Sequence, residues 1–409
     1  MIDRMWNGDV KIITGPRRVG KSWLLSHIFR DYLIENGVME DEIIIISFDL
    51  DDEEAQNDLR KAEELKKYLF PKIAGREKKY YVLLDEIQEV EGFERIVNSL
   101  AARENVDVYI TGSNSRFLSN DINTIFRGRG DEVRVFPLTF DEFCQGRDES
   151  ETVLWKEYYT YGGMPGLRTR KSPEQKVGYL KRLWQKTYIS DVVDRYGVRN
   201  VDVLESLVDA LSSAIGSLTN VSKLSNTIIS EMKKKVDSET IARYISMLED
   251  AYLFVGAQRY DIKGRRYFGS IRKYYAIDLG LRNARLNFRQ QEPAHIMENI
   301  IYNHLRVFGY SVDVGVVPCR ESHDGKQQSI QYEVDFIATD GIRKMYIQSA
   351  YRIDDEAKRK QEVRSLLKVD DSFEKIVVVD DDIAPWIDDN GIKWIGLRDF
   401  LTCSKISPF

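Results

Sequence analysis

Apolar residues along this chain follow two rhythms. Short unbroken apolar runs have the length of buried strands: "VKIIT", "IIIISF" at Ile43–Phe48, "YYVLL" and "DVYIT". Between the first two, "SWLLSHIFRDYL" carries Leu24, Leu25, Ile28, Phe29 and Tyr32 at helical spacing. This alternation predicts an α/β domain built on a parallel sheet, over residues 1–145. Residues 146–200 then read as helices around the loop "YGGMPGL", a lid or connecting unit. In residues 201–285 a short helix, "NVSKLSNTI", precedes a second one capped by Asp237 or Ser238. The second helix has Ile241, Tyr244, Ile245 and Leu248 as its buried stripe. Two strand-like runs joined at Lys263–Gly264 follow, and helix, helix and hairpin together make a winged-helix pattern. The last stretch, 290–409, has the helix "AHIMENIIYNHLRVFG" and then the strands "YEVDFIAT", "KMYIQSAY" and "KIVVVDDD", a second α/β unit.

Composition narrows the setting. The 409 residues are 43% hydrophobic and 31% charged, which suits a soluble globular protein of about three domains. The longest apolar run, Ile43–Phe48, is too short to cross a bilayer, and "MIDRMWNGDVK" lacks a signal-peptide core. The expectation is therefore a cytoplasmic protein with no membrane contact. Three scattered cysteines fit reduced thiols, and four histidines show no metal spacing. With a net charge of −6 the chain has no global pull toward nucleic acid. DNA contact must come from local basic patches: Lys233–Lys235, "KGRRY" at Lys263–Tyr267, and Arg243 on the second helix.

The strongest chemical signal is "GPRRVGKS", a phosphate-binding loop matched at every position from Gly15 to Ser22 and set between a strand and a helix. Gly15 and Gly20 let the backbone curl, so that N–H groups across Pro16, Arg17, Arg18 and Val19 face phosphate. Lys21 reaches the β/γ-phosphates and Ser22 ligates Mg²⁺. Arg17 and Arg18 are further candidates for phosphate contact or a partner surface. At the end of "YYVLL", Asp85 is placed to hold Mg²⁺ through water and Glu86 to polarise the attacking water. "DVYITGSNS" ends a strand in small polar residues, of which Ser113 or Asn114 would orient that water. Arg127 and Arg129 flank a glycine in "RGRG". They read either as a solvated pair or as a group reaching a neighbouring subunit's γ-phosphate.

These segments, with "RGRGDEVRVFPLTFDEF" and "YGGMPGL", resemble the bacterial and archaeal predicted ATPases of the AAA type that carry a C-terminal domain of unknown function. The resemblance spans nearly the whole chain and implies ATP as the nucleotide. It also implies that Lys21, Ser22, Asp85, Glu86 and one arginine of "RGR" are the ATPase residues. The family's C-terminal domain resembles PD-(D/E)xK nucleases, in which a helix Glu, a strand Asp and the acid of an ExK hold metal. Glu298 and Asp335 match the first two, and Glu333 shares a strand face with Asp335. Gln348 stands in place of the acid and Ala350 in place of the lysine, with Lys344 and Arg352 of the same parity as substitutes. The expectation is an ATPase whose nucleotide state moves a winged-helix and nuclease-like half that docks DNA, a protein or a second copy of the chain. The rivals are an ATP-regulated nuclease and a non-hydrolytic switch.

Overall fold

The computed structural model describes residues 1–48, 59–75, 77–112, 126, 128–232, 236–290, 292–323 and 326–402. The chain forms two compact units: Met1–Phe136 with Asp250–Tyr252, and Pro137–Glu249 with Leu253–Phe409.

The first unit is a five-stranded sheet: β1 (Val10–Thr14), β2 (Ile43–Ser47), β3 (Tyr80–Asp85), β4 (Val106–Thr111) and β5 (Gly130–Arg134). Its order is β2-β3-β4-β1-β5, with every pair parallel. The strands read as unbroken apolar runs because both faces are covered. Ile12, Val82, Leu84, Val108 and Ile110 enter one core cluster. Ile13, Leu83 and Tyr109 enter the cluster on the other face. The helix after β1, α1, runs through Lys21–Trp23, a widened turn at Leu24–Phe29, and Arg30–Glu35. That widened turn makes Leu25, Phe29 and Leu33 the buried stripe and leaves Ile28 exposed, against the expected spacing.

Lys11 is completely buried in the middle of β1, and its ammonium pairs with Asp107 of β4. Asp107 also accepts from the Tyr109 hydroxyl at 2.8 Å and the Trp6 backbone at 3.0 Å. Removing one partner of such a pair strands a charge in the core, at a cost of about 3–5 kcal/mol.

The second unit opens with helices, including one through Pro173–Arg182, Leu183–Ile189 and Ser190–Tyr196. The wing region has the order α2 (Val201–Ser213), β6 (Leu218–Asn220), α3 (Val221–Met232), α4 (Ser238–Asp250), β7 (Phe254–Asp261), β8 (Arg266–Ala276). β6, β8 and β7 pair antiparallel, as in a winged helix. Asp237 caps α4, its carboxylate accepting from the Thr240 backbone at 2.6 Å.

The boundary expected at residues 285–290 does not divide the sheet. β7 pairs in parallel with β9 (Ser311–His323) through Arg259, Tyr260 and Asp261. With β12 (Glu374–Val379), β13 (Trp386–Ile387) and β14 (Lys393–Gly396), nine strands among the described residues form one sheet, in the order β13-β14-β12-β11-β10-β9-β7-β8-β6. Helix α5 (Pro293–Val307) packs on it, with β10 (Lys326–Thr339) and β11 (Lys344–Ala350) forming the hairpin read in the sequence. Helix α6 (Glu356–Leu367) follows.

His304 on α5 is buried against Phe308 and Phe400, and burial lowers its pKa to about 4. The unfolded chain takes up this proton near pH 6.5, whereas the folded protein resists until about pH 4. The stabilising difference is complete above pH 6.5 and is lost as pH falls toward 4. We predict that His304→Leu flattens this slope. Between pH 7 and pH 4 the parent should lose about 3 kcal/mol more than the variant in urea unfolding. Parallel pH profiles would remove His304 as the sensor.

Candidate functional site

The phosphate-binding loop leaves the C-terminal end of β1 and closes on the start of α1. Gly15 has φ 140°, and a Cβ there would lie 2.2 Å from the Val135 carbonyl oxygen, so only glycine fits. Gly20 has φ 98° and turns the chain into the helix. The Lys21 side chain is buried and folds back on the loop, donating to the carbonyls of Gly15 at 3.0 Å and Pro16 at 2.9 Å. This posture holds an ammonium inside the cradle, and an anionic phosphate is a stronger acceptor than those carbonyls. Pro16 and Val19 are buried. Arg17 is half-buried, and Arg18 is exposed with φ 62°. The Ser22 hydroxyl stands in the first turn, exposed.

The parallel register brings the ends of β2, β3 and β4 together. There Asp85 is buried, and its carboxylate accepts from Ser47 at 3.0 Å and from the Thr111 hydroxyl. The same Thr111 oxygen accepts from the Glu86 backbone at 2.9 Å. Glu86 adopts φ 52°, left-handed for a non-glycine residue, and its carboxylate accepts from the Gln88 amide. Such strain persists where neighbours hold it, and Thr111 and Gln88 are those neighbours. The sequence reading missed Ser47, Thr111 and Gln88. Only "LLDEIQ" hinted at the last, because Gln88 lies two residues after Glu86.

One hydroxyl and one carboxylate suit the oxygen set of Mg²⁺, which takes its remaining ligands from water and substrate phosphate. Ser22 and Asp85 would hold it.

Arg129 lies elsewhere. It precedes β5, whose Gly130 pairs with Val10 at the start of β1, so it sits at the opposite end of the sheet from Gly15. Its side chain is exposed beside a cavity of about 260 Å³ lined by Trp6, Asp9, Arg103 and Asp107. Five strand residues, about 16 Å, separate it from its own loop. A role at the γ-phosphate is open to it only in a neighbouring subunit. Ser113, Asn114 and Arg127 lie outside the described residues, as do Lys233–Lys235.

The acidic pair of the C-terminal half is brought together, but not as a metal centre. The buried Lys273 ammonium, from β8, lies 2.8 Å from Glu298, 2.7 Å from Glu333 and 3.6 Å from Asp335. Tyr275 donates to Glu298 at 2.7 Å and the Ser349 backbone to Asp335 at 2.9 Å. Burial would lower the Lys273 pKa, but Glu298, Asp335 and Glu333 outweigh it and the net shift is upward. Burial first, then Glu298, raises that of Asp335, with Lys273 pulling the other way.

The assignment of Gln348 and Ala350 is corrected. Gln348 turns toward α6, where the Ser365 hydroxyl donates to it at 3.3 Å. Ala350 joins Val363 and Leu366 of α6 in one cluster. A register shift between Val334 and Ile337 breaks the alternation, so residues facing Asp335 are those of the other parity, Ile347 and Ser349. Lys344 pairs with Asp371 instead.

The family described as "AAA domain" matches residues 7–144, and the family described as "Domain of unknown function (DUF8612)" matches 152–292. A Haemophilus influenzae protein described as an uncharacterized protein is 34% identical over 374 residues, 90% of this chain and 88% of that one. A Methanocaldococcus jannaschii protein, Uncharacterized protein MJ1544, is 27% identical over 391 residues, 91% of this chain and 82% of that one. The Aeropyrum pernix ORC1 protein in complex with DNA is similar over 68% of this chain and 86% of that one. Its identity is 13% and the TM-score 0.31, too low to carry conclusions across.

Two substitutions test the geometry. Lys21→Ala should abolish nucleotide binding in a fluorescent-ATP titration. Thr111→Val should keep binding within a few-fold and slow turnover by about 10–100-fold, a loss of roughly 1.4–2.7 kcal/mol in the barrier. Unchanged turnover in Thr111→Val would remove the hydroxyl from the site.

Proposed function

We propose that this chain, which belongs to the same family as that Haemophilus influenzae protein and carries an AAA domain at residues 7–144, is a Mg²⁺-dependent ATPase whose nucleotide state governs docking by its C-terminal half. One observation carries the hydrolytic reading: Thr111 holds both Asp85 and the backbone of Glu86 at the edge of the sheet where the phosphate loop opens. In this reading the loop N–H groups and Lys21 bind the β- and γ-phosphates, and Asp85 with Ser22 holds the ion. Bound there, Mg²⁺ would supply positive charge against the negative charge that develops on the phosphates. Glu86, fixed by Gln88 and by its strained backbone, orients the water and takes its proton. Arg129 acts on the nucleotide of a neighbouring copy.

The wing supplies a docking surface. Lys263, Arg265 and Arg266 are exposed at its tip, with Tyr267 beside them, and Arg243 is exposed on α4. Nearby carboxylates engage part of this charge: Asp370 lies 3.3 Å from Lys263 and Asp261 3.7 Å from Arg266. We read the tip as a contact to nucleic-acid phosphate.

The ATPase test is single-turnover hydrolysis. Glu86→Gln should retain ATP and hydrolyse it at least 100-fold more slowly, whereas turnover equal to the parent's would exclude Glu86 as the base. Arg129→Ala should bind normally and hydrolyse slowly, and parental specific activity should rise with protein concentration. Turnover independent of concentration would exclude the action in trans.

For the wing, duplex DNA binding is measured against salt. Arg265→Ala with Arg266→Ala should weaken binding on all sequences alike and reduce the log–log slope by about two. Absence of duplex binding by the parent at low salt would assign the tip to a protein partner.

A further inference from the structure

The carboxylates of Glu298, Glu333 and Asp335 converge from α5 and β10 on one ammonium, and among the described residues they do not form a group set to hold a metal ion. A divalent cation does not fit this centre as it stands. Lys273 already neutralises the inner oxygens: it donates to Glu298 at 2.8 Å, and its ammonium is ion-paired with Glu333 at 2.7 Å and Asp335 at 3.6 Å. Tyr275 and the Ser349 backbone take further acceptor capacity. The cation arrives from an unexpected place. In hydrogen-bond order β8 lies three strands from β10, about 14 Å on a flat sheet. Contact between Lys273 and Asp335 therefore requires the sheet to curl around α5, whose Glu298 lies between them. Stacking of Tyr275 on Tyr302 at 4.1 Å and contact of both with Phe336 seal the same curl beside the charges.

We propose that Lys273 is the resident cation of this centre, standing where a divalent ion would otherwise bind. The cluster is then an internal lock that joins the wing strand β8 to α5 and β10. The wing and the C-terminal hairpin move as one body because of it, and the centre does not process phosphodiesters.

The experiment uses the full-length chain without nucleotide and Mn²⁺ as the probe, read by electron paramagnetic resonance and by thermal melting. Parent protein should bind no Mn²⁺ in a way that Asp335→Asn changes. Lys273→Ala should melt roughly 10 °C lower, since three carboxylates lose their counter-charge. Added Mn²⁺ should restore part of that loss, and Lys273→Ala combined with Asp335→Asn should show no restoration. Three results would overturn the proposal: Asp335-dependent Mn²⁺ binding by the parent, a Lys273→Ala protein that melts with the parent, or a Lys273→Ala midpoint that Mn²⁺ leaves unmoved. If Lys273→Ala does not fold, the parent and Asp335→Asn titrations decide the question alone. Asp335-independent behaviour supports the resident lysine, and Asp335-dependent binding refutes it.

Discussion

An ammonium stripped of water tolerates no vacancy around it, and the second unit is arranged to satisfy that demand. Lys273 is buried, so carboxylates must come to it. They come from a helix and a strand distant in the sheet order, and the sheet curls to deliver them. The irregularity between Val334 and Ile337 belongs to the same demand. It turns Asp335 and Phe336 toward α5 while Val334 and Ile337 stay in the cluster under α6. The parallel pairing of β7 with β9 then carries the wing into the C-terminal sheet. The first unit solves a smaller version of the problem. Lys11 meets Asp107 across the β1–β4 pair, and Tyr109 and Trp6 close the remaining acceptor positions.

The nucleotide site depends on register rather than on charge burial. Placing β4 between β1 and β3 sets the end of β4 beside both the phosphate loop and the acidic pair. A threonine there can serve both acids at once, because its hydroxyl donates to one group and accepts from another. The same register sends Arg129 to the far edge. One sheet thus presents the phosphate loop at one end and an exposed arginine at the other.

Much of this was legible in the sequence, and the misses have a common cause. The loop from Gly15 to Ser22, the acids at Asp85 and Glu86, the Asp237 cap and the Glu333–Tyr351 hairpin are local signals, each contained in one short stretch of chain. Lys273 was not legible. Its partners are 25 to 62 residues away in the chain, and nothing in "RKYYAID" distinguishes a buried lysine from a solvated one. The assignment of Gln348 and Ala350 failed for a different reason. These two residues are placed by the nuclease motif that the family resembles, and the register shift between Val334 and Ile337 leaves them on the face that packs against α6. Ile28 failed likewise, through a widened helical turn that no spacing rule contains.

Two segments that carry part of the family resemblance, "YGGMPGL" and "FPLTFDEF", serve packing and capping. In "YGGMPGL", a Cβ on Gly162 would lie 2.4 Å from the Asp278 carboxylate, and one on Gly163 2.2 Å from the Leu138 carbonyl. Asp278 is buried and accepts from the Gly163 backbone at 2.7 Å and the Leu281 backbone at 2.9 Å. Burial pushes its pKa up to about 6 despite these bonds, so the junction keeps an acid whose ionised form is costly. In "FPLTFDEF", Thr139 and Glu142 form a capping box that opens the helix Phe140–Cys144. A motif specific to a family marks where its backbone has no room for alternatives. The phosphate loop, common to many folds, marks where the chemistry is.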